Sequence, residues 1–152
     1  MTTRVPLVQR HGHNFLLAHI VWATARRLPL LDPSADGLLA EVLHRKARDA
    51  GCALVACGNA SDHVHVLVRY PSTVAVASVV QRLEGACSYE WNAKRRSPRL
   101  SWQSGSWAAS VSPSHLAATM RYVERQRAHH GDAAPLESWE TAMALPAAAQ
   151  PP

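Results

Sequence analysis

The sequence predicts an α+β domain, an antiparallel sheet with helices on one face. Three observations carry that prediction. Apolar runs of strand length alternate with stretches of helical periodicity, in the order β-α-β-β-α-β(β)-α. Glycine, proline and short polar clusters fall between them, where the chain must turn. With 152 residues and 47% apolar content, the chain has the length and composition for one sizeable core.

The elements follow in order. Residues 15–24, FLLAHIVWAT, read as a buried strand, and PLLDP at 29–33 as a turn. Ser34 or Asp36 can cap a first helix, where Leu38, Leu39, Val42, Leu43 and Ala47 recur at helical spacing and Gly51 makes the stop. CALVACG (52–58) and HVHVLVRY (63–70) are two further strands. The turn from Asn59 to Asp62 makes 52–70 a hairpin. Pro71 and Ser72 open a second helix, with Val76, Val79, Val80, Leu83, Cys87 and Trp91 as its apolar face. It runs into a basic loop, KRRSPR (94–99). SWQSGSWAASV (101–111) reads as a short hairpin turning at Ser104-Gly105. Ser112 caps a third helix, with Pro113 at its first position, and the helix continues to about His130, where Gly131 stops it. This order is compatible with a ferredoxin-like core. Residues 1–130 then form a single domain. Residues 131–152 form an acidic tail rich in Ala and Pro, with a short helical piece at 136–143 and a disordered end.

Charge is unevenly placed. All 16 Lys and Arg lie at or before residue 127, so residues 1–130 carry a net +8 and the tail −3. A basic core of this kind suggests a polyanionic partner. Fourteen of the 16 are Arg, which suits bidentate phosphate contacts and would also follow from GC-rich coding. Cys52, Cys57 and Cys87 are an odd count without a regular framework, which argues against a secreted disulfide scaffold and for reduced thiols. No apolar run approaches a membrane span, and the N-terminal MTTRVPLVQRHGHN lacks a signal segment. A soluble, cytoplasmic protein with no membrane partner is expected.

Two constellations carry chemistry. In Asp62-His63-Val64-His65-Val66, strand alternation points His63 and His65 the same way, where their ring nitrogens could converge on one ion. The same spacing also fits a polar stripe on the solvent face of a half-buried sheet. On the last helix, Tyr122 and Gln126 are i and i+4 neighbours, flanking a core stripe of Leu116, Met120 and Val123. A boundary tyrosine with a solvated glutamine would give that pattern too. Together the two describe a mechanism. Two imidazoles and an amide oxygen could hold a divalent cation at a scissile phosphate, and the tyrosine hydroxyl could attack phosphorus. One rigid helical turn would tie the nucleophile to a metal ligand.

Other residues offer less. Cys52 and Cys57, five apart on a strand, should face opposite ways, which disfavours a zinc pair. His129 and His130 suit the C-terminal helix dipole. Trp102 and Trp107 fit core packing better than base stacking. Glu84 and Glu90 lack the spacing of a paired-carboxylate site. No role follows for His11, His13 or His19.

The sequence resembles a known family at these same residues. DHVHVLV (62–68) looks like the HUH motif, and RYVERQRAHH (121–130) is similar to the catalytic helix of single-tyrosine HUH transposases. HNFLLAHIVWATARR (13–27) and WQSGSWAASVS (102–112) resemble that family's first strand and the segment leading into its helix. The likeness runs from about residue 13 to 130 in family order and spacing. It implies the HUH nuclease fold and a transposase that cuts and rejoins single-stranded DNA with hairpin ends. It further implies His63, His65 and Gln126 as ligands of Mg²⁺ or Mn²⁺, Tyr122 as the nucleophile of a 5′-phosphotyrosine intermediate, and a homodimer. Alternatives left open are a domesticated relative acting on chromosomal palindromes and a hairpin-DNA-binding module without turnover. The chain departs from the family's common pattern at Glu84 before Gly85, at Ala25 before Arg26 and at Ser106-Trp107.

Overall fold

The computed structural model describes residues 14–95 and 97–129. The first strand, β1 (Leu16–Ala23), leads through two short 3-10 turns into helix α1 (Asp36–Asp49). A hairpin of β2 (Ala53–Asn59) and β3 (His63–Tyr70) follows, then helix α2 (Val76–Lys94) and strand β4 (Trp107–Ser110). The last described elements are α3 (Leu116–Glu124) and a one-turn α4 (Gln126–His129). The strands form one antiparallel sheet in the order β2-β3-β1-β4, the ferredoxin-like arrangement.

The sheet has two buried faces. On β1 and β3, Ala18, Ile20, Trp22, Val64, Val66 and Val68 point to one side, where Leu39, Val42 and Leu43 of α1 and Val79, Leu83 and Trp91 of α2 close the main core. The alternate residues Leu17 and Leu67 point to the other side and meet Val123 of α3, with Leu116, Met120 and Tyr122 beside them. Helices on one face therefore describes the two crossover helices, whereas the C-terminal helix covers the opposite face. The reason lies in β3, where both alternations are apolar after His65, a pattern that asks for cover on both sides.

Three local expectations are corrected. Segment 101–111 is an interrupted edge strand, not a hairpin. Trp102 bridges to Thr24, and Trp107–Ser110 pairs with Ala18–Val21 of the same strand, the slack between them taken up around Gly105 at φ +87°. In β2 a bulge between Leu54 and Ala56 returns Cys57 to the core face that Cys52 also packs against, so the two are not split across the sheet. The thiols of Cys52, Cys57 and Cys87 are free, and burial pushes Cys57 to about 11 and Cys87 to about 12. Finally, the last helix breaks at Arg125 instead of running through to His130. The expected tail at 131–152, its helical piece, His11, His13 and His130 lie outside the described residues. No described helix is long and apolar enough to cross a membrane.

Candidate active site

The site forms where α3 and α4 lie over β2 and β3, with Tyr122 reaching across to His19 of β1. His63 and His65 sit two residues apart on the face that looks toward α3, as strand alternation requires. They are not a solvent-facing stripe: His63 is 1% exposed, His65 0% and Gln126 1%. Tyr122 closes the group from above. Its ring stands edge-on to His65 at 5.6 Å and to His19 at 5.8 Å between centroids. All four residues singled out in the sequence, His63, His65, Tyr122 and Gln126, meet within one chain.

The link between Tyr122 and Gln126 differs from the expected single turn. With the helix broken at Arg125, Gln126 begins a new turn, and its Nε2 donates to the Tyr122 carbonyl oxygen at 2.9 Å. That bond orients the amide, leaving Oε1 3.3 Å from His63 Nε2. Asp36 fastens the new turn from outside. Arg127 donates to both Asp36 oxygens at 2.8 and 2.6 Å, and to the Leu31 carbonyl at 2.7 Å. The Arg127 hydrogen bond holds the Asp36 carboxyl below its ordinary value.

A second set of groups supports the histidines from behind. Asp62 Oδ1 lies 2.7 Å from His63 Nδ1, and Asp62 Oδ2 accepts from Arg27 Nε at 2.9 Å. Burial works against the Asp62 carboxylate. The hydrogen bonds from His63 and Arg27, with the Arg27 charge, outweigh it and hold the group at about 2. Arg27 reaches Asp62 from a strained turn: Arg26 and Arg27 both adopt left-handed backbone, at φ 56° and 55°. Such residues cost roughly 1 kcal/mol or more each and persist where neighbours over-determine them. Here Thr24 does so, its N–H donating to the Asp62 carbonyl and its hydroxyl to the Leu28 carbonyl.

His19 is the residue that sequence reasoning left without a role. Its Nε2 lies 2.8 Å from His65 Nδ1, and its ring stacks on His65 at 5.1 Å and meets the Trp107 ring edge at 5.2 Å. Burial pushes His19 down to about 4, so the ring is neutral at neutral pH. A signal was present. His19 is the one polar side chain in the run from Phe15 to Ala23, and a buried polar group needs a partner. Trp102 packs against the core as expected, edge-on to Trp22, with its indole N–H donating to the Glu84 carbonyl.

The spacing of the sheet and the last helix depends on Gly58, which pairs with His65 in the β2-β3 ladder. A Cβ placed there would lie 2.0 Å from the Val123 carbonyl oxygen. The helix backbone thus rests directly on β2, next to the histidines.

The donor set fits a hard or borderline divalent cation. Two neutral imidazoles and an amide oxygen suit a labile catalytic ion and leave positions for phosphate and water. The 3.3 Å between His63 Nε2 and Gln126 Oε1 also matches two ligands sharing one ion at ~2.1 Å. Among the described residues no trio of His, Cys, Asp or Glu side chains is grouped to hold a metal, so Gln126 is needed to complete the set.

A family model described as IS200-like transposase matches residues 13–126. Among solved structures, a protein assigned as a transposase in Deinococcus radiodurans R1 is 27% identical, with a TM-score of 0.61, over 78% of this chain and 96% of that one. A REP-associated tyrosine transposase, solved bound to a REP hairpin, is 13% identical with a TM-score of 0.53, over 76% of this chain and 70% of that one. This second likeness is one of fold. Comparison with curated proteins gives no significant match.

Proposed function

Because the chain belongs to the IS200-like transposase family, we propose that it cuts and rejoins single-stranded DNA with Tyr122 as its nucleophile. The observation that carries this reading is the meeting of Tyr122, His63, His65 and Gln126, from two distant segments of one chain, around a buried point. A structural role alone would not ask for three polar side chains at or below 1% exposure beside a tyrosine.

His63, His65 and Gln126 would hold Mg²⁺ or Mn²⁺, which when bound neutralises charge on the scissile phosphate. Tyr122 supplies the attacking oxygen. Its Oη–phosphorus bond forms as the bond from phosphorus to the 3′ oxygen breaks. The phenol proton passes from Tyr122 to solvent water, and the departing 3′ oxygen takes one up from solvent to become a hydroxyl. The 5′-phosphotyrosine keeps the bond energy, so a 3′ hydroxyl can reverse the step without ATP. Asp62, held ionised by Arg27, fixes the His63 ring so that Nε2 faces Gln126. The substrate proposed is single-stranded DNA with hairpin ends, for which the +8 charge of residues 1–130 supplies attraction to phosphate. A homodimer is the assembly proposed.

Covalent capture tests this. The protein is mixed with labelled single-stranded oligonucleotides from its own genomic flanks, with Mg²⁺ or Mn²⁺, and run on a denaturing gel. The expected result is a shifted band that chelator abolishes and that Tyr122→Phe lacks while still binding the oligonucleotide. Retained covalent product in Tyr122→Phe would remove Tyr122 from its role. Hairpin binding without any covalent band would favour a binding module without turnover.

A further inference from the structure

His63 and His65 are supported at the same ring position. Asp62 stands 2.7 Å from His63 Nδ1, and His19 Nε2 stands 2.8 Å from His65 Nδ1. An ionised carboxylate can only accept, so His63 carries its proton on Nδ1 and offers a lone pair at Nε2. The His65 contact is different in kind, because two neutral imidazoles can share one proton in two ways. If His19 donates, His65 holds its own proton on Nε2 and cannot ligate an ion through that atom. If His65 Nδ1–H donates, its Nε2 carries a lone pair.

We infer that His19 is a positioning residue that accepts from His65 Nδ1–H and so fixes the tautomer in which His65 Nε2 is free of a proton. Register and stacking bring the two nitrogens together, and the exposure of the rings gives the direction. The sheet register makes His19 the diagonal neighbour of His65: His19 pairs with Leu67, and His65 with Val21. The rings stack at 5.1 Å between centroids, with the two nitrogens 2.8 Å apart. His19 also retains 7% exposure against 0% for His65, and the N–H left over from the shared bond is better accommodated on the ring that still meets water. In this arrangement His19 does for His65 what Asp62 does for His63. The inference rests on the proposed metal-binding site only for the use made of the lone pair, since the tautomer exists without an ion.

The test separates the two. In metal-free protein, the ¹⁵N and ¹H correlations of the His65 ring report which nitrogen is protonated, and the expected form is Nδ1–H. His19→Phe keeps the ring against Tyr122 and Trp107 but removes the acceptor. His65 should then move to the Nε2–H form, and Mn²⁺ affinity, read by electron paramagnetic resonance, should fall ~10–100-fold. His19→Gln places an amide oxygen near the lost Nε2 and should restore the Nδ1–H form and most of the affinity. A wild-type His65 protonated at Nε2 would overturn the inference, as would a His19→Phe variant with unchanged tautomer and affinity. If His65 is the Nδ1–H form yet no Mn²⁺ binds, the metal reading fails and the positioning by His19 stands.

Discussion

Gly58→Ala isolates the distance between the sheet and the tyrosine helix. Its backbone is not in the left-handed region, so the added methyl meets no conformational strain and the effect is steric alone. That methyl would lie 2.0 Å from the Val123 carbonyl oxygen, about 1.4 Å short of the 3.4 Å at which ordinary contact begins. The obstacle is backbone on both sides, so α3 must lift or slide by roughly 1 Å. The cost follows from that move. Overpacking of this kind destabilises by ~1–3 kcal/mol. A ~1 Å lift would also carry the 3.3 Å His63–Gln126 approach beyond 4 Å, outside the span of one shared ion. Misplacement on that scale costs about 100-fold in rate. Urea unfolding and covalent capture on single-stranded DNA measure the two effects. Gly85→Ala is the control, since nothing lies within 4 Å of a Cβ in mid-α2. It should stabilise by ~0.5–1 kcal/mol through helix propensity and unfolded-chain entropy. The entropy effect is present in both variants. If Gly58→Ala is as stable and as active as its parent, the close approach does not set the site's geometry.

Glu84, on α2, gives a pH signature. Burial pushes its carboxyl up to about 7, and Oε1 has no hydrogen-bond partner among the described residues. The folded state therefore holds the proton more tightly than the unfolded chain does. Stability is highest below the ordinary carboxyl value near 4.5, falls as pH rises through 7, and is flat above. A shift of that size is worth ~3 kcal/mol at full burial and ~1–2 kcal/mol for a group that solvent partly screens. Glu84→Gln should remove this pH dependence and be the more stable protein at pH 8, and equal slopes in urea titrations of the two would sink the assignment. Arg127→Ala should loosen α4 from α1 by releasing two bonds to Asp36 and one to the Leu31 carbonyl. With the pair 29% and 40% exposed, the stability loss should be ~1 kcal/mol. Strand cleavage should fall further than that loss explains, because Gln126 is the neighbour of Arg127, and full cleavage in the variant would locate the anchoring of Gln126 elsewhere.

What the sequence made legible was the periodicity within each element. Strand alternation placed His63 and His65 on one face, and helical periodicity placed Val123 on the sheet. The element order was compatible with a ferredoxin-like core, and the strand order β2-β3-β1-β4 has that arrangement. Boundaries were less legible. Asp32, not Ser34 or Asp36, caps the turn before α1, accepting from the Ser34 N–H, while Pro71 to Ala75 form a turn before α2 begins at Val76. Capping residues crowd both places, and local rules do not choose among them.

The illegible part of the site shares one cause. His19 meets His65 across 46 residues, Gly58 meets Val123 across two elements, and Arg127 meets Asp36 across 91. Each contact is fixed by register or helix placement, and neither can be read from spacing along the chain. A one-residue slip of β1 would turn His19 into the main core and Ile20 toward Tyr122. The alternating apolar residues of β1, all buried from Leu17 to Ala23, make that slip costly, because Trp22 would leave its place against Trp102. The main core therefore sets the register that brings His19 to His65, and Gly58 lets the tyrosine helix close over both. The geometry around Tyr122 thus depends on packing on the far side of the sheet, so a core variant that allowed β1 to slip should abolish covalent capture with Tyr122, His63, His65 and Gln126 all intact.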